Sequence, residues 1–227
     1  MIDCPSPNFN ERALPVTMLV LHYTGMASAR AAIDRLSDPE AAVSCHYLVA
    51  EDGEVVRMVA EDKRAWHAGL GAWRRVTDVN SASIGIEIVN PGHDLGYRPF
   101  PEPQMAALLP LVADIVARHG IEPRNVVGHS DVAPARKVDP GELFDWERLA
   151  RHGLALARPK LLGDPNWTDA GFLLALERFG YEVADGPAAT RAFQRRFRPG
   201  RIDGEIDGET RSILLALLLD IERPATR

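Results

Sequence analysis

Hydrophobic and polar positions along the first part of the chain follow the pattern of a sheet protein. Residues 13–25 contain the apolar run Met18-Leu19-Val20-Leu21, and residues 126–128 form a second short apolar run. Both runs predict buried strands. Residues 84–89 are strongly apolar with little alternation, which predicts a strand at the centre of the sheet.

A hairpin and several helices complete this part of the pattern. Residues 46–50 and 55–59 flank a turn sequence rich in acidic residues and glycine, and they predict the two strands of a hairpin. Apolar side chains recur every three or four positions in residues 103–119, which is typical of an amphipathic helix, and residues 28–36 and 144–149 are further helix candidates. Strands that alternate with helices predict an α/β fold with a mixed central β-sheet flanked by helices.

The pattern changes near residues 157–165, where prolines and glycines interrupt it. Helical periodicity returns in short segments beyond this break, at residues 168–179, 188–197 and 209–219. We therefore predict a small three-helix C-terminal domain, with domain limits at residues 1–157 and 158–227.

Composition narrows the class of protein. Hydrophobic residues make up 46% and charged residues 26% of the 227 positions, as in globular proteins. The net charge of −6 argues against a nucleic-acid partner, and no apolar run approaches the about 20 residues that span a bilayer. Two cysteines, Cys4 and Cys45, are too few for a disulfide framework; free thiols are expected, and a bridge between the two stays open.

Two histidines occupy equivalent places in the predicted sheet. His22 directly follows the first apolar run, and His129 follows the run at residues 126–128. Open α/β sheets bind ligands at the carboxyl ends of their strands, so the two imidazoles should meet there. Asp139 lies farther along the loop after His129, with Asp131 as a rival carboxylate. Two histidines and one carboxylate form a zinc site with an open fourth position, which is typical of hydrolytic enzymes.

Glu87 interrupts the apolar run at residues 84–89. A carboxylate in the middle of a buried strand is costly unless it has a partner or a chemical task. One interpretation is an inward glutamate paired with an arginine. The other is a general base held beside a metal, where burial raises the pKa of a carboxyl group and a nearby cation lowers it.

Several separated motifs resemble those of the type 2 N-acetylmuramoyl-L-alanine amidases, the zinc amidases related to peptidoglycan recognition proteins. The resemblance covers about residues 3 to 150 and rests on motifs that occur in the family's order. They are Leu21-His22-Tyr23-Thr24, Ile84-Gly85-Ile86-Glu87, Gly128-His129-Ser130-Asp131 and Lys137-Val138-Asp139-Pro140-Gly141, with support from Ser44-Cys45-His46-Tyr47, Trp66-His67-Ala68-Gly69 and Asn80-Ser81-Ala82-Ser83.

The resemblance implies a role for each matching residue. His22, His129 and Asp139 match the ligands of one zinc ion per chain. Glu87 matches the carboxylate that activates water, and Lys137 matches the cation that stabilises the tetrahedral intermediate. The implied reaction is hydrolysis of the amide between the lactyl group of N-acetylmuramic acid and L-alanine, and the implied partner is a muropeptide or peptidoglycan fragment.

Substrate contacts are expected from side chains in and beside these motifs. His67 is equally compatible with a packing role, and His46 is expected near the site without being a ligand. The guanidinium of Arg74 is suited to a peptide carboxylate, and Asn90 is expected to offer its amide to the muropeptide. The expected substrate-binding residues are Tyr23, Trp66, His67, Ala68, Trp73, Arg74 and Asn90.

The C-terminal segments resemble the three-helix peptidoglycan-binding-like module over about residues 160 to 220. The matching sequences include Gly180-Tyr181, Thr190-Arg191-Ala192-Phe193-Gln194 and Asp203-Gly204-Glu205-Ile206-Asp207-Gly208. Asp185-Gly186 runs straight into Pro187-Ala188, where the module usually has a second glycine. The resemblance therefore leaves open whether this domain binds the wall or serves as a packing or lid element.

The first residues, Met1-Ile2-Asp3-Cys4-Pro5, have neither the basic nor the apolar region of a secretory leader. We therefore expect a cytoplasmic protein, and a cytoplasmic amidase of this family is expected to act on recycled 1,6-anhydromuropeptides. We also expect a monomer. The alternatives are a periplasmic amidase of intact peptidoglycan, a zinc amidase with another acyl–amino acid substrate, and a non-catalytic muropeptide receptor on the same fold. Binding-only relatives typically lack a zinc ligand, which favours the enzyme.

Overall fold

The computed structural model describes residues 1–222. The strands are β1 (Ile2–Asp3), β2 (Phe9–Glu11), β3 (Met18–Tyr23), β4 (Tyr47–Val49), β5 (Val55–Arg57), β6 (Lys63–Ala65), β7 (Ser83–Ile88) and β8 (Val126–Gly128). The helices are α1 (Ala29–Ser37), α2 (Val79–Ala82), α3 (Gly92–Leu95), α4 (Glu102–His119), α5 (His129–Val132), α6 (Trp146–Arg151), α7 (Asp169–Phe179), α8 (Gly186–Phe197) and α9 (Gly208–Glu222).

A six-stranded mixed sheet in the order β1-β5-β4-β7-β3-β8 forms the centre of the described chain. Strands β4, β7, β3 and β8 run parallel to one another, whereas β4 and β5 form the predicted antiparallel hairpin. Strands β2 and β6 pair separately. The α/β fold with a mixed sheet and flanking helices is confirmed.

Strand β7 divides its residues between the two faces of the sheet. Ile84, Ile86 and Ile88 pack with α4 in one apolar cluster. The intervening residues, Ser83, Gly85 and Glu87, are small or polar and face the opposite side. The prediction that this strand alternates little was therefore wrong: its face toward α4 is wholly apolar, and its other face has no aliphatic side chain.

Helix α4 covers the isoleucine face, as its periodicity predicts. Met105, Leu108, Val112 and Ile115 are buried against the sheet. Gly120 ends the helix with a left-handed φ of 63°, and its N–H donates to the carbonyl of Val116.

The C-terminal helices pack on the other face of the sheet. Thr168 and Asp185 cap α7 and α8 by accepting hydrogen bonds from Gly171 and Ala188 N–H groups. The apolar side chains of these helices belong to one buried cluster with Met18 of β3 and other residues of the first part of the chain. The predicted domain limits therefore stay a prediction, although a single core crosses them.

The structure also bears on the cysteines and on membrane spans. Cys4 and Cys45 are both free thiols. Within residues 1–222, no helix has the length and apolar character needed to cross a bilayer.

Candidate active site

Parallel pairing brings the two predicted histidine ligands together. Leu21 of β3 pairs with Gly128 of β8, so the next residues of the two segments, His22 and His129, are neighbours at the same edge of the sheet. Asp139 reaches them from the loop after α5. One ligand atom from each of these three residues lies within 4.8 Å of the other two, and all three residues are buried.

Backbone contacts hold the loop that carries Asp139. The Ser130 N–H donates to the Asp139 carbonyl over 2.8 Å. Gly128 leaves room for Pro140, the residue after Asp139, because a Cβ at position 128 would lie 2.7 Å from Cδ of Pro140. The glycine before His129 is therefore required for the loop to approach the strand.

Hydrogen bonds on the far side of each histidine determine which ring nitrogen is protonated. His129 Nε2 donates to the Ala68 carbonyl over 2.9 Å, because a carbonyl can only accept. Ser83 Oγ donates to the Val79 carbonyl over 2.6 Å and therefore accepts from His67 Nε2. Burial, followed by the neighbouring histidines, lowers the pKa of His67 well below its usual value, so the ring is neutral.

Neutral His67 then accepts at Nδ1 from Nε2 of His22, over 3.0 Å. Burial, followed by repulsion from His129, lowers the pKa of His22 to about 4, and this ring is also neutral near pH 7. In both histidines Nε2 thus carries a proton, and Nδ1 is the ring nitrogen that faces Asp139.

The three converging atoms fit a metal ion. His22 Nδ1 lies 2.9 Å from His129 Nδ1, and each of these nitrogens lies 3.1 Å from Oδ2 of Asp139. Tetrahedral zinc ligands, about 2.0–2.1 Å from the ion, lie roughly 3.3 Å apart. Burial acts to raise the pKa of Asp139, but the two histidines outweigh it and lower the pKa, so the group is a carboxylate. Two imidazole nitrogens and one carboxylate oxygen at this spacing form a ligand set that suits zinc.

Glu87 lies beside this cluster, since it pairs in register with His22 on the neighbouring strand. Burial, followed by repulsion from Asp139, raises its pKa well above the usual value, while Lys137 opposes the shift. Its Oε2 is out of solvent and has no hydrogen-bond partner among the described residues. Pairing with an arginine is therefore not the explanation for this glutamate, whose free oxygen is available for chemistry.

A cavity of about 400 Å³ opens over the cluster. Glu87, His129, Lys137 and Asp139 all line it, which places the predicted general base and the predicted cation in one space with two of the ligands. Arg35 and Arg136 add further positive charge to its wall.

Three of the expected substrate-binding residues line the same cavity: Tyr23, Trp66 and His67. The Tyr23 hydroxyl contacts His93 Nδ1 at 3.0 Å, and the Trp66 indole N–H donates to Asn10 over 2.9 Å. His67 lines the cavity and also contacts Nε2 of His22, so its position is compatible with a substrate contact and with a packing role.

The other expected substrate contacts are corrected by the structure. Trp73 is only 1% exposed and packs against Phe179 and Tyr181 of the C-terminal part. Arg74 lines a separate cavity beside α7. Asn90 is buried, and its side chain donates to the Arg98 carbonyl and accepts from Gly92 N–H.

Ala68 also offers no side chain to a substrate, because its methyl group is buried in the core. Its contribution is the carbonyl that accepts from His129. His46 is not a ligand, as expected: it is buried, and its Nδ1 accepts from Gly85 N–H over 2.9 Å.

Asp131, the rival metal ligand, is turned away from the cluster. Its carboxylate accepts from Gly128 N–H and contacts Tyr181 and Arg196. The sequence pattern had not indicated a role for Arg196, and it had also missed Ser83, whose hydroxyl fixes His67. Small polar residues on the site face of β7 were the available signal for Ser83.

Comparison with known proteins agrees with this geometry. Residues 12–142 match the family model described as N-acetylmuramoyl-L-alanine amidase. The chain is 40% identical over 231 residues to the N-acetylmuramoyl-L-alanine amidase AmiD of Escherichia coli, in a match that covers 89% of this chain and 82% of AmiD.

Solved structures extend the likeness to the C-terminal helices. The complex of E. coli AmiD with its substrate anhydro-N-acetylmuramic acid-L-Ala-D-gamma-Glu-L-Lys has a TM-score of 0.82 at 34% identity and covers 96% of this chain and 99% of that chain. AmpDh3 from Pseudomonas aeruginosa, in complex with an anhydromuramic pentapeptide, has a TM-score of 0.81 at 33% identity and covers 91% and 92%. The protein described here belongs to the N-acetylmuramoyl-L-alanine amidase family and is an enzyme of that class.

Proposed function

We propose that this amidase uses one zinc ion, held by His22, His129 and Asp139, to hydrolyse the bond between 1,6-anhydro-N-acetylmuramic acid and L-alanine. The observation that carries the proposal is the buried convergence of one ligand atom from each of these three residues, all within 4.8 Å of one another. The relatives AmiD and AmpDh3 were solved with anhydromuropeptides, which supports the same substrate class for this chain.

A bound zinc ion supplies Lewis acidity, which polarises the amide carbonyl and makes water nucleophilic near neutral pH. Glu87 takes one proton from the attacking water as its oxygen bonds to the carbonyl carbon. The Lys137 ammonium stabilises the negative charge on the carbonyl oxygen. Glu87 then gives the proton to the nitrogen of L-alanine as the C–N bond breaks, which leaves a lactyl carboxylic acid and a free peptide amine. The acid then releases its proton to the amine or to solvent.

The raised pKa of Glu87 suits this exchange of a proton. A carboxyl group that holds its proton more tightly than usual is a stronger base when ionised, and it can later act as the acid. In the metal-free protein burial and Asp139 together favour its protonated form. A bound dication would lower the pKa toward the working range.

Tyr23, Trp66 and His67 are proposed to line the bound muropeptide, since they share the cavity with Glu87 and Lys137. The cavity wall also includes Arg35 and Arg136, whose guanidinium groups suit the carboxylates of a stem peptide. Action on recycled fragments in the cytoplasm, by a monomer, stays a prediction.

Substitution of Glu87 by glutamine tests the proposal. The variant should bind zinc with unchanged affinity in a chelator competition, while release of peptide from anhydro-N-acetylmuramyl-tripeptide falls by about 10²–10⁴-fold. Wild-type rates in a zinc-loaded Glu87→Gln enzyme would remove the glutamate from the mechanism. Zinc binding without hydrolysis by the wild type would instead favour the muropeptide receptor.

A further inference from the structure

Arg196 of α8 crosses from the C-terminal helices to the strand that leads into His129. Its side chain is 4% exposed. Its Nη2 donates to the Val126 carbonyl over 2.9 Å, and its Nη1 donates to Oδ2 of Asp131 over 2.8 Å. The guanidinium also lies over the Trp146 ring, 4.1 Å from its centroid. The arginine thus contacts residues three positions before and two positions after the metal ligand.

Asp131 is the centre of this contact. Its Oδ2 accepts a second hydrogen bond, from Gly128 N–H over 2.8 Å, and its Oδ1 accepts from the hydroxyl of Tyr181 over 2.5 Å. The residue is completely buried. One carboxylate therefore connects the turn that carries His129 to two side chains of the C-terminal part.

Residues 1–157 alone would leave this carboxylate poorly satisfied. Of the hydrogen bonds described for Asp131, only the one from Gly128 comes from that part of the chain. A buried carboxylate that loses its cation and a hydroxyl donor keeps unsatisfied oxygens in the core, so it must shift, and the shift alters its bond to Gly128. Gly128 immediately precedes His129, whose Nδ1 must remain within about 3 Å of two other ligand atoms.

We propose that Arg196 and Tyr181 are positioning residues for His129. Through these two residues, the metal site depends on the C-terminal part of the chain. The inference rests on the proposed zinc site and adds to it a structural requirement from outside the catalytic part. It assigns to the C-terminal helices a task other than binding polymer. Outer hydrogen-bond partners of metal ligands commonly change metal affinity by about 10–100-fold.

The chain offers a matched control in Arg198. This arginine is also almost fully buried and paired with carboxylates, those of Asp203 and Asp207, but all of these residues lie in the C-terminal part. Arg196→Gln and Arg198→Gln each remove the charge of a buried arginine from its carboxylate partners. Only the first change reaches the segment that carries His129.

The test compares zinc affinity by chelator competition at a temperature at which circular dichroism shows each variant folded. Arg196→Gln should weaken zinc binding by about 10–100-fold, and Tyr181→Phe, which removes only one neutral donor, should weaken it by a smaller factor. Arg198→Gln should lower the unfolding temperature and leave zinc affinity within a factor of two of wild type, as roughly expected for a distant site. Equal zinc affinities in all four folded proteins would overturn the proposal.

Hydrogen exchange of the metal-free proteins gives a readout that does not depend on zinc. Amide exchange in residues 126–132 should be at least about tenfold faster in Arg196→Gln and Tyr181→Phe than in Arg198→Gln. Unchanged protection of this segment would contradict the positioning role. If the wild type binds no zinc but the variants still show the predicted difference in exchange, the proposed cofactor is disproved and the positioning of residues 126–132 by Arg196 and Tyr181 is supported.

Discussion

His22 Nε2 lies 3.0 Å from His67 Nδ1, and this contact determines which nitrogen of His22 faces His129 and Asp139. The donor chain runs from His22 through His67 and Ser83 to the Val79 carbonyl, so each member has one assigned proton. A neutral imidazole with its proton on Nε2 binds metal through Nδ1. Strand β7, which carries Glu87, also carries Ser83, the last side chain in this series of hydrogen bonds.

Loss of the His67 hydrogen bond should weaken zinc binding. His67→Phe keeps an aromatic ring but cannot accept from His22, so we expect about 10–100-fold lower zinc affinity in a chelator competition. His46→Phe is the matched control, because His46 is a buried histidine whose ring centroid lies 5.7 Å from that of His67 but which contacts no ligand. Equal zinc affinity in the two variants would contradict the role assigned to the hydrogen bond between His22 and His67.

Removal of the Lys137 charge should slow hydrolysis with little effect on zinc affinity. Lys137→Met is expected to lower kcat by about 10²–10³-fold, the usual effect of losing one group that stabilises the developing oxyanion. Arg35→Met removes a positive charge from the same cavity wall and serves as the control. Similar losses of kcat in both variants would show that general charge, and not the position of Lys137, supports the reaction.

Substitutions of Trp66 and Trp73 should have different effects, one mainly on substrate binding and the other mainly on stability. Trp73→Ala removes a buried ring that packs against Phe179 and Tyr181, so the free energy of unfolding should fall by about 3–5 kcal/mol while KM of the folded enzyme is unchanged. Trp66→Ala should raise KM with a smaller loss of stability, because Trp66 lines the open cavity. Denaturant unfolding and steady-state kinetics on both variants check this, and the reverse pattern would contradict the assignment.

Glu61 should make stability depend on pH in the acid range. Burial acts to raise its pKa, but Arg118, Tyr47 and His119 outweigh burial and lower the pKa from 4.5 to about 2. The carboxylate therefore stabilises the folded state above pH 4.5, and this contribution is lost as the pH falls toward 2.

Glu61→Gln should reduce the free energy of unfolding by about 2 kcal/mol at pH 7, a figure reduced for the exposure of Arg118. The difference from wild type should narrow to roughly half at pH 3, as the lowered pKa requires. Denaturant titrations at both pH values measure it. A difference that stays constant between them would contradict the lowered pKa.

The fold and the central residues could be predicted because their signals are local. Apolar runs followed by His22 and His129 predict the carboxyl edge of parallel strands. The resemblance to the amidase family implied the roles of Asp139, Glu87 and Lys137, and the position of Glu87 in an apolar run supported a chemical task for it. The face preference of β7 was available in its alternating isoleucines but was not recognised.

Long-range packing explains what could not be predicted. Trp73 follows a loop motif in the sequence, yet the C-terminal helices bury it. Asn90 caps its own turn by accepting from Gly92, which looks the same in sequence as an amide free for a ligand. Asp131 and Arg196 are 65 positions apart, and neither has a local pattern that indicates the other.

The most direct test of zinc-dependent cleavage of anhydromuropeptides is mass spectrometry of the products that the purified enzyme releases from 1,6-anhydro-N-acetylmuramyl-tripeptide and, in parallel, from intact sacculi. Each substrate is assayed with zinc-loaded protein, with chelated protein and after zinc is restored. Free tripeptide from the anhydro fragment, lost on chelation and recovered with zinc, is the predicted result. Undiminished cleavage after complete removal of the metal, or peptide release from sacculi alone, would contradict it.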